Sequence, residues 1–116
     1  MCHVLVIEDE PLVADHIGYI AEMAGATTVM FATTEAEAIS AARSTTPAVI
    51  LSDVDLKQGG TGPKACHAIR NELGPIPVIF ITGTPEHCDP CDYAAAILAK
   101  PIAQHHIIEA FQRVAP

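Results

Sequence analysis

Positive charge is scarce in this chain. Six of its 116 residues are lysine or arginine against fourteen acids, for a formal net charge of −8. The six (Arg43, Lys57, Lys64, Arg70, Lys100 and Arg113) are spread along the sequence, and no basic stripe with interleaved aromatics occurs. Such a distribution argues against binding to nucleic acid or to an anionic membrane face. Any part in transcription would run through another protein. No apolar run approaches the roughly 20 residues of a membrane span. A basic segment followed by an apolar one and a small-residue cleavage site is also missing, so the expected location is the cytoplasm. Internal repeats, linkers and low-complexity segments do not occur.

What is present suits one packed domain. Half of the residues are hydrophobic and 17% are charged, which excludes a disordered chain. Residues 1–116 read as a single domain, with Met1 just ahead of the first strand and no output domain after Val114-Ala115-Pro116. The four cysteines, Cys2, Cys66, Cys88 and Cys91, are expected as reduced thiols in a cytosolic chain.

Short apolar runs alternate with helical patterns. Residues 3–7 (HVLVI) predict a strand, and 11–24 a helix opened by Pro11 and stopped by Gly25. In that helix Ile17, Ile20 and Met23 fall on the core face and His16 on the exposed one. Residues 27–32 give a weak second strand. A helix over 34–45 begins at Thr34, with Glu37 three residues later completing a capping box. "PAVILS" (47–52) and "IPVIFIT" (76–82) are continuous apolar runs, as strands covered on both faces require. Between them, the flexible loop "KQGGTG" precedes a helix over 63–73 that Gly74 and Pro75 end. Residues 83–93 hold two prolines and predict at most a short broken helix. A fifth strand over 94–99 and a closing amphipathic helix over 102–114 complete the chain. This alternation predicts an α/β fold: a flavodoxin-like, doubly wound, five-stranded parallel sheet of order 2-1-3-4-5 with helices on both faces.

Ligands of such sheets bind beyond the carboxyl ends of the strands. The first strand ends in Glu8 and Asp9, the third in Asp53, the fourth in Thr82 and the fifth in Lys100. In the predicted order these ends are neighbours and converge on one edge. Three carboxylates there form a hard-oxygen site suited to Mg²⁺, which would offset their mutual repulsion. An aspartate beside such a cation can attack phosphorus and become an aspartyl phosphate. The Lys100 ammonium and the Thr82 hydroxyl could then serve the phosphoryl oxygens.

These residues carry a resemblance. In "VLVIEDEP", "VILSDVDL", "VIFITG" and "AKP" the chain resembles, over essentially its whole length, the receiver domains of two-component response regulators. More narrowly, "VIFITGTPE" with "SDVDLKQGGTG" is similar to receivers of general-stress-response regulators. The resemblance implies that Glu8, Asp9 and Asp53 bind Mg²⁺, with the backbone carbonyl of Asp55 completing the shell. It implies Asp53 as phosphoacceptor, Thr82 as switch hydroxyl, Lys100 as phosphoryl partner, and Asp55 and Thr84 as residues that tune dephosphorylation. A histidine kinase or histidine phosphotransfer protein would be the donor, and a downstream protein would read the 83–114 face. Three departures stand out. Glu8 replaces the commoner Asp, and Gly83 replaces the usual Ala. Ile97 stands where most receivers carry Tyr or Phe, so the usual ring movement on phosphorylation is not available; Tyr93 lies too early to substitute.

Other readings compete. "VIEDE" alone reads equally well as a solvated strand end before a helix N-terminus, where the dipole favours acids. Asp53, Thr82 and Lys100-Pro101 at the matching strand ends select the site reading. "HCDPCD" (87–92) pairs Cys88 with Cys91 beside His87, as half of a zinc site or a redox couple would, yet no second pair has a known spacing. Incidental thiols are the simpler expectation. His105 and His106 are expected at the surface, and "KQGGTG" lacks the Gly-Lys-Ser/Thr ending of a phosphate loop. The expected function is therefore a phosphoacceptor receiver, a signalling domain rather than an enzyme. The alternatives are a receiver-like docking module that works without phosphorylation and, behind it, a cysteine-based metal or redox sensor.

Overall fold

The computed structural model describes residues 2–57, 59–88 and 93–116. Its elements are β1 (His3–Ile7), α1 (Pro11–Met23), β2 (Thr28–Ala32), α2 (Glu35–Ser44), β3 (Val49–Ser52), β4 (Asp55–Leu56), β5 (Gly60–Thr61), α3 (Gly62–Leu73), β6 (Val78–Thr82), β7 (Ala96–Ala99) and α4 (Gln104–Val114). A 3-10 turn, Pro85–His87, lies between β6 and β7. Strands β2-β1-β3-β6-β7 form one parallel sheet. This is the flavodoxin-like order expected from the sequence.

Side chains alternate faces along a strand, and the central strands supply both cores. Leu5, Ile7, Ile50 and Phe80 face Ala38, Ala42, Ala65 and Ile69 of α2 and α3. Val4, Val6, Leu51, Ile79 and Ile81 face Ile17, Ile20, Ile107 and Phe111 of α1 and α4. Each fully buried Leu, Ile or Phe contributes about 2 kcal/mol by leaving water. Strands β3 and β6 are buried throughout, whereas the edge strands β2 and β7 are mixed.

The structure corrects several expectations. β4 and β5 pair as a small antiparallel ribbon inside the stretch expected to be a flexible loop. The ribbon buries Leu56 in the core and is clasped to α2. Glu35 N–H donates to the Gly59 carbonyl at 2.9 Å, and its carboxylate accepts from the Thr61 amide at 3.0 Å. Gly60 has φ +89°, and a Cβ there would run into the Glu35 carboxylate. Glu37 does not complete a capping box: its N–H donates to Thr34 Oγ1, but its carboxylate reaches past Thr34 to the Thr33 N–H and hydroxyl. The fifth strand starts at Ala96 rather than 94. Met23 is 45% exposed, because α1 ends there and the spacing that places Ile17 and Ile20 inside carries it past the sheet. Cys88 is disulfide-bonded, against the expectation of a reduced thiol. Cys2 and Cys66 are free and buried, and Cys91 lies outside the described residues. Among the described residues, no helix is long and apolar enough to cross a membrane.

Candidate functional site

Parallel register brings the strand ends together. Ile7 is paired with Ser52, Ser52 with Phe80, and Thr82 with Ala99. Backbone bonds carry the ladders one residue further: Asp53 N–H donates to the Ile7 carbonyl, and Lys100 N–H to the Thr82 carbonyl, both at 2.8 Å. The next side chains along β1, β3 and β7 are Glu8, Asp53 and Lys100, so all three meet above the same edge.

Glu8 is 1% exposed although it is an acid. Its Oε1 accepts from the Lys100 ammonium at 3.0 Å and its Oε2 from the Glu10 amide at 3.1 Å. Burial pushes the Glu8 carboxyl up to about 7, helped by the charge of Asp53 and opposed by the bonds from Lys100 and Glu10. Asp53 is oriented by the Val54 amide, which donates to Oδ1 at 2.7 Å, while Oδ2 faces the Lys100 ammonium at 3.3 Å. Burial works against a charged Lys100, but the bond to Glu8 and the charges of Asp53 and Glu8 outweigh it and raise its pKa. Asp9 Oδ2 accepts from the Lys57 amide at 3.1 Å. Glu10 stays at the surface, 3.6 Å from the Lys57 ammonium. A pair that exposed adds little.

Glu8, Asp9 and Asp53 each offer an oxygen within 4.8 Å of the others, the one such group of possible metal ligands among the described residues. The donor set fits Mg²⁺: hard oxygens only, with one acid so buried that a cation must balance it. Lys100 meets part of that need by pairing with Glu8 and Asp53. No cysteine–histidine cluster competes within the described residues.

Thr82 is buried at the end of β6, with its hydroxyl turned toward Thr84 at 3.2 Å. The Asp55 side chain accepts from the Thr84 hydroxyl at 2.6 Å and pairs with His87 Nδ1 at 2.9 Å, which joins the two residues expected to tune dephosphorylation. Thr84 and then His87 hold the Asp55 carboxyl below its ordinary range, and Asp55 raises the His87 pKa in return. Sequence reasoning grouped His87 with the cysteines because they are adjacent. No spacing signal could have tied it to an acid 32 residues earlier. Ser52 donates to the carbonyl of its neighbour Asp53 at 2.7 Å, a bond that the residue type alone does not signal. Ile97 is 42% exposed on β7 and lines a groove of about 360 Å³ with Pro101, Ile102 and His106. Tyr93 does not take its place: it packs edge-on against Phe80 at 6.1 Å.

Comparison with known proteins agrees with this fold. Residues 4–112 match the family model of the response regulator receiver domain. The phyllosphere-induced regulator PhyR of Methylorubrum extorquens is 38% identical over 84 residues, which are 72% of this chain and 31% of that protein. The receiver domain of PhyR from Erythrobacter litoralis superposes with a TM-score of 0.88 at 28% identity, covering 97% of this chain and 88% of that one. The anti-anti-sigma factor PhyR of Bartonella quintana gives 0.83 at 30% identity, over 98% of this chain and 47% of that one. The chain thus spans about a third of the curated relative it matches and about half of the Bartonella protein.

Proposed function

The chain belongs to the response regulator receiver domain family, and we propose that it works as a phosphoacceptor whose Asp53 is phosphorylated in a Mg²⁺-dependent reaction. The observation that carries this reading is the placement of the Lys100 ammonium 3.0 Å from Glu8 Oε1 and 3.3 Å from Asp53 Oδ2, beside the carboxylate of Asp9. Glu8, Asp9, Asp53 and the Asp55 carbonyl would hold the ion, which supplies charge neutralisation for the incoming phosphoryl group. An Asp53 oxygen bonds to phosphorus as the phosphorus–nitrogen bond of a donor phosphohistidine breaks, and the imidazole nitrogen keeps the electron pair. Lys100, already aimed at Asp53, pairs with a phosphoryl oxygen, and the Thr82 hydroxyl donates to another. Water later cleaves the acyl phosphate and restores the carboxylate, at a rate tuned by Asp55 and Thr84.

The donor is a histidine kinase or a histidine phosphotransfer protein, and the domain acts in the cytoplasm as a signalling module rather than as an enzyme. Its state is read by a downstream protein at the 83–114 face, where Ile97 is exposed. The test is an NMR titration with Mg²⁺ and beryllofluoride or acetyl phosphate. Resonances over 83–88 and 93–99 should shift in the wild type and stay in place in Asp53→Ala. Unchanged wild-type spectra, or an equal response in Asp53→Ala, overturn the reading.

A further inference from the structure

The direction of the hydrogen bonds around Thr84 can be worked out by counting protons. Asp55 Oδ2 is a carboxylate oxygen and can only accept. Thr84 Oγ1, at 2.6 Å, must therefore give it its one hydroxyl proton. Thr84 Oγ1 also lies 3.2 Å from Thr82 Oγ1. With the Thr84 proton already committed, Thr82 is the donor in that contact. Thr82 Oγ1 accepts in turn from the Thr84 amide at 3.0 Å. On the far side, His87 Nδ1 donates to the same Asp55 oxygen at 2.9 Å. The chain runs one way, from Thr82 to Thr84 to Asp55, with His87 closing it from the 3-10 turn.

The Thr82 proton is thereby directed away from the site edge. To donate to a phosphoryl oxygen on Asp53, Thr82 must withdraw that proton from Thr84. The 3-10 turn carrying His87 has no buried residue of its own. Buried Cys88 anchors its end, and the contact of His87 with Asp55 ties it to the ribbon beside Asp53. Ile97 has no hydroxyl or ring with which to report on Thr82.

We propose that His87 is a positioning residue: acting through Asp55 and Thr84, it holds the Thr82 hydroxyl in its unmodified orientation and passes the reorientation of Thr82 to the 85–87 turn. This rests on the phosphoacceptor reading above and adds to it the path by which the site reaches the surface. An exposed charge-assisted hydrogen bond of this kind is worth a factor of about three in an equilibrium.

The test uses the whole chain with Mg²⁺ and beryllofluoride, followed by NMR. His87→Ala should shift the Thr82 and Thr84 amide resonances before any addition, and tighten apparent beryllofluoride binding about three-fold. His87→Asn, which keeps a donor nitrogen near the position of Nδ1, should restore both. In a Thr84→Val background His87→Ala should change nothing further. If the wild type responds but His87→Ala leaves the Thr82 and Thr84 amides and the affinity unchanged, the proposal falls. Simple addition of the His87 and Thr84 effects overturns it as well. A wild type that does not respond to beryllofluoride overturns the phosphoacceptor reading, and this proposal with it.

Discussion

The Lys100 ammonium lies 3.0 Å from the carboxylate of Glu8, a residue 92 positions away in the chain and shielded from solvent. Two opposite needs meet in this contact. A buried carboxylate requires a cation, and the proposed uptake of a divalent ion and a phosphoryl group needs a site that does not fill itself permanently. A lysine on a strand end serves both, because its flexible stem lets the ammonium move from Glu8 to an incoming anion.

Lys100→Met should therefore separate two effects. Leaving Glu8 and Asp53 without their cation should lower stability by about 1–3 kcal/mol, less than for a wholly buried pair because the lysine side chain keeps 24% of its exposure. Mg²⁺ should restore more stability to the variant than to the wild type, since the ammonium no longer competes for the acids. Urea denaturation with and without Mg²⁺ measures both.

Stability should also depend on pH through Glu8. Its carboxyl is raised from 4.5 to about 7 in the folded protein, so the folded state binds this proton more tightly than the unfolded chain. The contribution is present in full below pH 4.5 and is lost as the pH rises through about 7. Subtracting the profile of Glu8→Gln from that of the wild type isolates this loss from the other acids. Added Mg²⁺ competes with the proton and should flatten the difference.

Two glycines near the site should respond oppositely to alanine. A Cβ on Gly62 would collide with the Asp53 carbonyl and the Ser52 hydroxyl. The carbonyl is backbone and can move only with Asp53, so Gly62→Ala should cost about 2–4 kcal/mol and weaken the proposed Mg²⁺ binding. Gly83 has nothing within 4 Å of such a Cβ. Gly83→Ala should be neutral or stabilising by up to about 1 kcal/mol through the unfolded chain. Thermal melts of the two variants check both signs.

Cys66 should resist labelling. It is 2% exposed, and burial pushes its thiol up to about 12 despite a bond with Ser52 that works the other way. A thiol-reactive probe at pH 8 should modify it only on unfolding, so the rate of its labelling in urea reports opening of the core beneath the site.

The sheet was legible because its causes are local. Val49–Ser52 and Val78–Thr82 are continuous apolar runs, and residues of that kind are buried on both faces of a parallel sheet. The convergence of Glu8, Asp9, Asp53 and Lys100 followed once the strand order was assumed. What escaped depends on partners distant in sequence. The glycines at 59, 60 and 62 look like freedom, yet each packs against a particular neighbour: Thr34, Glu35 or Asp53. Met23 obeys the helical period and is still exposed, because the period does not say where the sheet beneath α1 ends. The side chain of Asp55 turns to Thr84 and His87, a choice set by the path of the chain after β6.

The clasp between Glu35 and the ribbon has a consequence for anyone mapping this protein by genetics. Glu35 belongs to neither the acidic trio nor the lysine, and in a random mutant library it would be filed as a helix residue. Loss of its carboxylate frees the Thr61 amide, next in the chain to Gly62, the residue pressed against Asp53, while the backbone bond to Gly59 stays. Defective alleles at position 35 should therefore share a phenotype with those at position 53 while leaving every acid of the site intact.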